Sequence, residues 1–220
     1  MSPSLEVPVL NKILIMLAMA VSWSHTASAK YLTVDELRDL QAKMKSSDAL
    51  TVDFVQTKFS GLRGKSTKRE GKAIFVKPNL FKWMLQTPTK EFKIYDGKSF
   101  YDFSPDTNTA RRYAPNGAQS QELRQVIDLV LNFDTLLKRY DLVAAEESGD
   151  LIKIQLRPKT PGDIASIELH LAKREEFISF LKMDLTNKNS LTHEFKNPSR
   201  TAVGETTFVL PTSVKITDSI

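Results

Sequence analysis

The stretch Lys72–Phe103 reads KAIFVKPNLFKWMLQTPTKEFKIYDGKSFYDF. Proline interrupts it at Pro78 and Pro88, and Asp96-Gly97 supplies a strong turn signal. Between these breaks lie Lys72–Lys77, Leu80–Leu85 and Glu91–Tyr95, with Phe100–Phe103 returning after the turn. Each run is short and rich in aromatic and aliphatic residues. Short runs of that kind, bounded by turn residues, read as strands of an antiparallel meander.

The same period extends outward. Upstream, Leu50, Val52 and Phe54 alternate with Thr51 and Asp53, which predicts another strand. The polar tract Ser60–Glu70, with Gly61, Gly64 and several basic residues, reads as a long hairpin loop. Before these, Thr33 and Glu36 have capping-box spacing, and Val34, Leu37, Leu40 and Met44 follow on one helical face. Downstream, Ser104–Gly117 reads as loop with a short strand near Arg111–Tyr113. Gln119–Tyr140 is the one clearly helical interior stretch, striped by Leu123, Val126, Ile127, Val130, Phe133, Leu136 and Leu137. Alternation then resumes at Ile152–Leu156, Ile167–Leu171, Leu181–Leu185 and Leu191–Phe195, and Phe208–Leu210 and Val214–Ile216 close the chain.

Helix, strands, helix, strands is therefore the order, with no repeat and no compositional break. It predicts an α+β, mainly β fold: one curved antiparallel sheet, one face wet, in a single domain. Two helices with apolar stripes are left to cover its concave face. A large curled sheet that its own side chains do not fill encloses a pocket. The same pattern also fits helices packed solidly on a sheet.

Ile13–Val21 (ILIMLAMAV) is apolar but too short to span a bilayer as a mature helix. Lys12 precedes it, and Ala27-Ser28-Ala29 fits a small-residue cleavage site, so residues 1–29 are expected to be a secretory signal peptide. Glu6 is unusual there, and a membrane anchor is the alternative. The expected mature segment, 30–220, loses Lys12 and Glu6 and keeps the net charge of +5. Its hydrophobic fraction, 41% over the whole chain, suffices for a core and argues against disorder. There is no cysteine, so no disulfide framework can hold the fold. A cysteine-linked lipid anchor is excluded as well. The mild basic balance suits anionic headgroups or an acidic partner, and equally a solvated surface.

Chemical motifs are absent. Of the three histidines, His25 lies in the expected leader, His170 on a polar strand face and His193 on an apolar one. No acid or cysteine accompanies His193 at metal-ligand spacing. There is no G-x-S-x-G elbow. Gly61-Leu62-Arg63-Gly64-Lys65-Ser66 fails as a phosphate loop, since Phe59 stands where its first glycine belongs. The basic tract Arg63, Lys65, Lys68, Arg69 and Lys72 lacks interleaved aromatics, so nucleic acid is not an expected partner. Neither catalytic residues nor a metal or other cofactor is predicted.

Several segments resemble the LolA family. Gly71–Trp83 (GKAIFVKPNLFKW) is similar to that family's signature, with a strand ending at a basic residue and Pro, then N-L-F-x-W. Asp96-Gly97-Lys98-Ser99 resembles its D-G-K-T turn, Phe54-Val55-Gln56 its F-x-Q, and the closing FVLPTSVKI its last segment. The clear matches cover about residues 50–105. The resemblance implies an incomplete, strongly curved antiparallel barrel with a helical lid over an apolar cavity. It implies a periplasmic, monomeric carrier. Its expected partners are acylated lipoproteins, an inner-membrane lipoprotein-releasing ABC transporter and an outer-membrane, LolB-like lipoprotein receptor. A periplasmic binder of free lipids on the same fold is the alternative, because fold does not fix ligand.

Strand parity nominates the lipid-binding residues. Phe81, Trp83 and Leu85 share one face, and Phe75 shares another with Ala73 and Lys77. Phe54, Phe92 and Ile94 are further candidates, with Val126 and Val130 from the helix. All could equally be core, and apolar Ile74 and Val76 leave the inside face undecided. At Lys77 the family usually has Arg, placed to hold the lid shut. Lys presents fewer and less fixed donors, so a weaker lid latch is expected. The helix also lacks the Thr-Pro that often begins it in the family.

Overall fold

The computed structural model describes residues 30–43, 48–114, 117, 120, 127 and 133–219. In chain order these hold β1 (Lys30–Tyr31), α1 (Val34–Lys43), β2 (Ala49–Ser60), β3 (Lys65–Val76), β4 (Leu80–Thr87), β5 (Glu91–Tyr95), β6 (Phe100–Ser104) and β7 (Thr109–Tyr113). Then come α2 (Phe133–Arg139), β8 (Tyr140–Ser148), β9 (Leu151–Pro158), β10 (Ile164–Ala172), β11 (Phe177–Leu185), β12 (Ser190–Ser199), a 3-10 turn (Glu205–Phe208) and β13 (Lys215–Asp218). All strands join one sheet in the order β1-β8-β9-β10-β11-β12-β2-β3-β4-β5-β6-β7-β13. The sheet does not close, since β1 and β13 are its two edges.

The capping box forms as its spacing predicts. Thr33 N–H donates to Glu36 Oε2 at 2.8 Å, and Glu36 N–H donates back to Thr33 Oγ1 at 3.3 Å, which fixes the start of α1. Lys30 Nζ adds an ion pair to Glu36 at 2.7 Å.

Four expectations need correction. The tract Ser60–Glu70 is not a long loop: β2 and β3 pair continuously from Ser60↔Lys65 to Val55↔Glu70 and beyond, leaving a short turn at residues 61–64. A ladder needs backbone partners rather than apolar side chains, and Gly64, at φ +59°, lets the turn be tight. The helix expected to reach Tyr140 ends at Arg139, and β8 begins there. Phe208 ends a 3-10 turn rather than opening a strand. Finally, β13 runs parallel to β7, so the sheet is antiparallel except at that edge.

Two apolar clusters lie on opposite faces. The larger gathers β2–β4, β9–β12, Leu37 of α1, Leu136 of α2 and, outside these elements, Ile127 around a common interior. That strands from both halves of the sheet reach one cluster is the mark of a curled sheet with helices over its inner face. The smaller joins Ile74, Ile94 and Phe208, with Phe92, Met84 and Leu210 against them, where the C-terminal segment covers the outer face. Lys82 Nζ ties that segment down by donating to Thr207 O at 2.9 Å. No helix among the described residues is long and apolar enough to cross a membrane.

Candidate binding face

Register decides which apolar residues meet. Phe54 pairs with Gly71, Ala73 with Trp83, and Phe75 with Phe81. Paired residues share a face, so Phe54, Phe75, Phe81, Trp83 and Leu85 all point inward, and all are buried. Their rings form a continuous run. Phe75 and Phe81 have centroids 5.3 Å apart, Phe81 and Trp83 5.8 Å, and Trp83 stacks on Phe54 at 3.8 Å. Gly71 makes that stack possible: lacking a side chain, it lets the Phe54 ring lie across it.

Phe92 and Ile94 depart from the expectation. Register places Ile94 beside Lys82 and Phe92 beside Met84, both on the outer face, within the smaller cluster. They pack under the C-terminal segment, out of reach of the interior. Val126 and Val130 lie outside the described residues. Lys77 follows Phe75 by two residues and is half-buried, and its N–H donates to Asp48 O at 2.8 Å.

The inner face also holds residues that sequence reading did not nominate. Phe195 meets Trp83 edge-on at 6.1 Å. His193, 1% exposed, meets Trp83 edge-on at 5.0 Å and stacks parallel to Phe195 at 5.9 Å. Gln56, also buried, places its amide nitrogen 2.9 Å from His193 Nε2. Burial, with a lesser contribution from nearby Lys58, pushes the His193 pKa down to about 3. The ring is therefore neutral at any ordinary pH. The one sequence signal was that His193 sits in the apolar phase of its strand.

Beyond this pair the interior turns polar. Opposite Trp83 and Leu85, β5 presents Lys93 and Glu91 to the same face. Lys93 pairs with Asp102 at 2.6 Å and Glu91 at 2.9 Å. Burial opposes the Lys93 charge, but those carboxylates outweigh it, and its pKa lies above the usual lysine value. Past Gln56, a cleft of about 650 Å³ is lined by Ile164, Met183, Leu185 and Leu191, with Lys58 and Lys65 among its cations. Among the described residues, no cluster of His, Asp or Glu could hold a metal ion. His170 pairs with Glu168 at 2.7 Å and stacks on Phe180, on the opposite face of the sheet.

An unclosed, curled sheet with an aromatic inner face and helical residues over it defines a half-barrel. Comparison with known proteins names the group. The family described as outer membrane lipoprotein carrier protein LolA matches residues 45–210, most of the chain, and the protein belongs to that family. It is a family of carriers, not enzymes. The outer-membrane lipoprotein carrier protein of Chromobacterium violaceum is 24% identical over 187 residues, 83% of this chain and 81% of that protein. That of Haemophilus influenzae (strain PittEE) is 34% identical over 71 residues, and this chain spans only 35% of its length. Among solved structures, an uncharacterized conserved protein from Thermus thermophilus superposes with a TM-score of 0.54 at 13% identity. The match covers 84% of this chain and 98% of that one, a likeness of fold.

Proposed function

We propose that the protein is a periplasmic chaperone that binds the acyl chains of lipoproteins against its inner face and ferries them between membranes. It would receive them from an inner-membrane ABC transporter and pass them to an outer-membrane receptor. The observation that carries this reading is the continuous aromatic run Phe75–Phe81–Trp83–Phe54 inside a sheet that does not close. Each methylene left in water costs ~0.8 kcal/mol, so an acyl chain needs such a surface to travel. The rings of this run pack against one another among the described residues, so loading would part them. Residues 1–29 would be the export signal, 30–220 the single working domain, and the carrier a monomer. Lys77 would act as a latch that favours the closed, empty state.

The cationic side of the 650 Å³ cleft favours a second reading, a carrier of free anionic lipid. One experiment separates the two. The chain is expressed in a periplasm with its leader, purified without detergent as Lys30–Ile220, and examined by native mass spectrometry. A one-to-one complex with an acylated lipoprotein is the expected result. Phospholipid alone would favour the second reading, and a protein that accepts neither would overturn both.

A further inference from the structure

His193 and Gln56 form a buried polar pair against the aromatic run of the inner face. The two residues are 137 positions apart, yet cross-strand register sets them directly opposite, on the face that carries Phe54 and Trp83. Their contact uses one nitrogen of the ring. With the Gln56 amide donating, Nε2 is the acceptor, and a neutral imidazole must then carry its proton on Nδ1. That Nδ1 is fully buried and has no hydrogen-bond partner among the described residues. An orphaned buried donor is costly, and native proteins seldom keep one without a reason.

Its surroundings suggest the reason. One step along β12 on the same face stands Leu191, and one step along β2 stands Lys58, both lining the 650 Å³ cleft. The pair does not itself line the cleft but abuts it, with Leu191 and Lys58 of the lining on one side and Phe54 and Phe195 of the aromatic face on the other. An acylated amphiphile entering chain-first would place its ester carbonyls at this depth, behind its chains and ahead of its headgroup. Ester carbonyls are acceptors without donors, and they lose their water partners on entry.

We propose that His193, oriented by Gln56, is a specificity-determining residue: its Nδ1–H donates to an ester carbonyl of the bound lipid. The assignment rests on the carrier reading above and adds to it a preference for ester-linked over plain hydrocarbon ligands. It also explains why a polar pair persists where apolar residues would pack without an unmet donor.

The test compares a synthetic triacylated cysteinyl lipopeptide with the analogue whose two glycerol esters are replaced by ethers. Affinity is measured for the unaltered chain and for the Gln56→Leu/His193→Phe double variant, which removes both partners together. The unaltered chain should bind the ester ligand about fivefold to tenfold more tightly, the scale of one net hydrogen bond. The double variant should bind both ligands alike, at the ether level. An imidazole ¹⁵N spectrum of the unaltered chain should show the Nδ1–H proton shifting on addition of the ester ligand only, a readout that survives if the variant does not fold. Equal affinities with an unmoved imidazole signal would overturn this inference and leave the carrier reading intact. Binding of neither lipopeptide would overturn the carrier reading and this inference with it.

Discussion

Phe54 lies across Gly71 and stacks on Trp83, and no room remains there for a methyl group. A Cβ on Gly71 would overlap the Met84 carbonyl oxygen and sit 2.7 Å from Phe54 Cζ. Gly71→Ala should therefore cost about 3 kcal/mol or prevent folding, read as a lower urea midpoint. His193 sets a pH dependence. Its native pKa is near 3, against about 6.5 in the unfolded chain, so only the unfolded state gains the proton as pH falls between those values. Stability from this group is full above about pH 6.5 and falls by up to ~1.4 kcal/mol per pH unit below it. Denaturant midpoints at pH 7 and 5 should show that slope, and the Gln56→Leu/His193→Phe chain should lack it. At Lys77, loss of a latch would penalise the empty state, so Lys77→Leu should retain lipopeptide several-fold longer in a release assay; unchanged release would remove the latch. Phe54, Phe75, Phe81 and Trp83 were nominated from the sequence because they repeat with strand period, whereas Phe195 of the same face was not. The Gln56–His193 pair was not, since only long-range register makes two polar residues partners inside an apolar layer.

At the scale of elements, local chemistry was readable wherever it acts locally. Thr33 and Glu36 start α1 as their spacing predicts. Glu36 is held near pKa 2, first by Lys30 and then by the Thr33 backbone. Thr33→Ala should destabilise the protein by about 1 kcal/mol through the lost cap, visible as a lower thermal midpoint. Pro78, Pro88 and Asp96-Gly97 likewise bounded β3, β4 and β5 within a few residues. β8 escaped notice because Ala144 to Glu147 favour helix and a register shift between Leu142 and Ala144 breaks its alternation. The β2–β3 hairpin looked like a loop because Lys65–Glu70 is held by backbone pairing, for which side-chain polarity is no guide.

For the whole molecule, parity left the inside of the sheet undecided, and the structure shows why. Ile74, Ile94 and Phe92 are apolar on the outer face because the C-terminal segment, through Phe208 and Leu210, packs over them. No strand's own pattern reports a cover supplied from a distant part of the chain. The same segment ends in β13, where Asp218 accepts two hydrogen bonds from Arg112 at 2.6 and 2.9 Å. Removing residues 214–220 should expose the edge of β7 and promote association, seen as a shift to higher mass in size-exclusion chromatography at unchanged far-ultraviolet dichroism. The two free edges carry a mechanical consequence. A closed barrel has a circumference fixed by its ladder, and widening it means breaking hydrogen bonds. A sheet that ends at β1 on one side and β13 on the other can change its girth by uncurling, with each strand keeping its neighbours. The resistance to swelling then comes from side-chain packing inside the curl, so a guest that replaces those contacts with its own meets little elastic opposition.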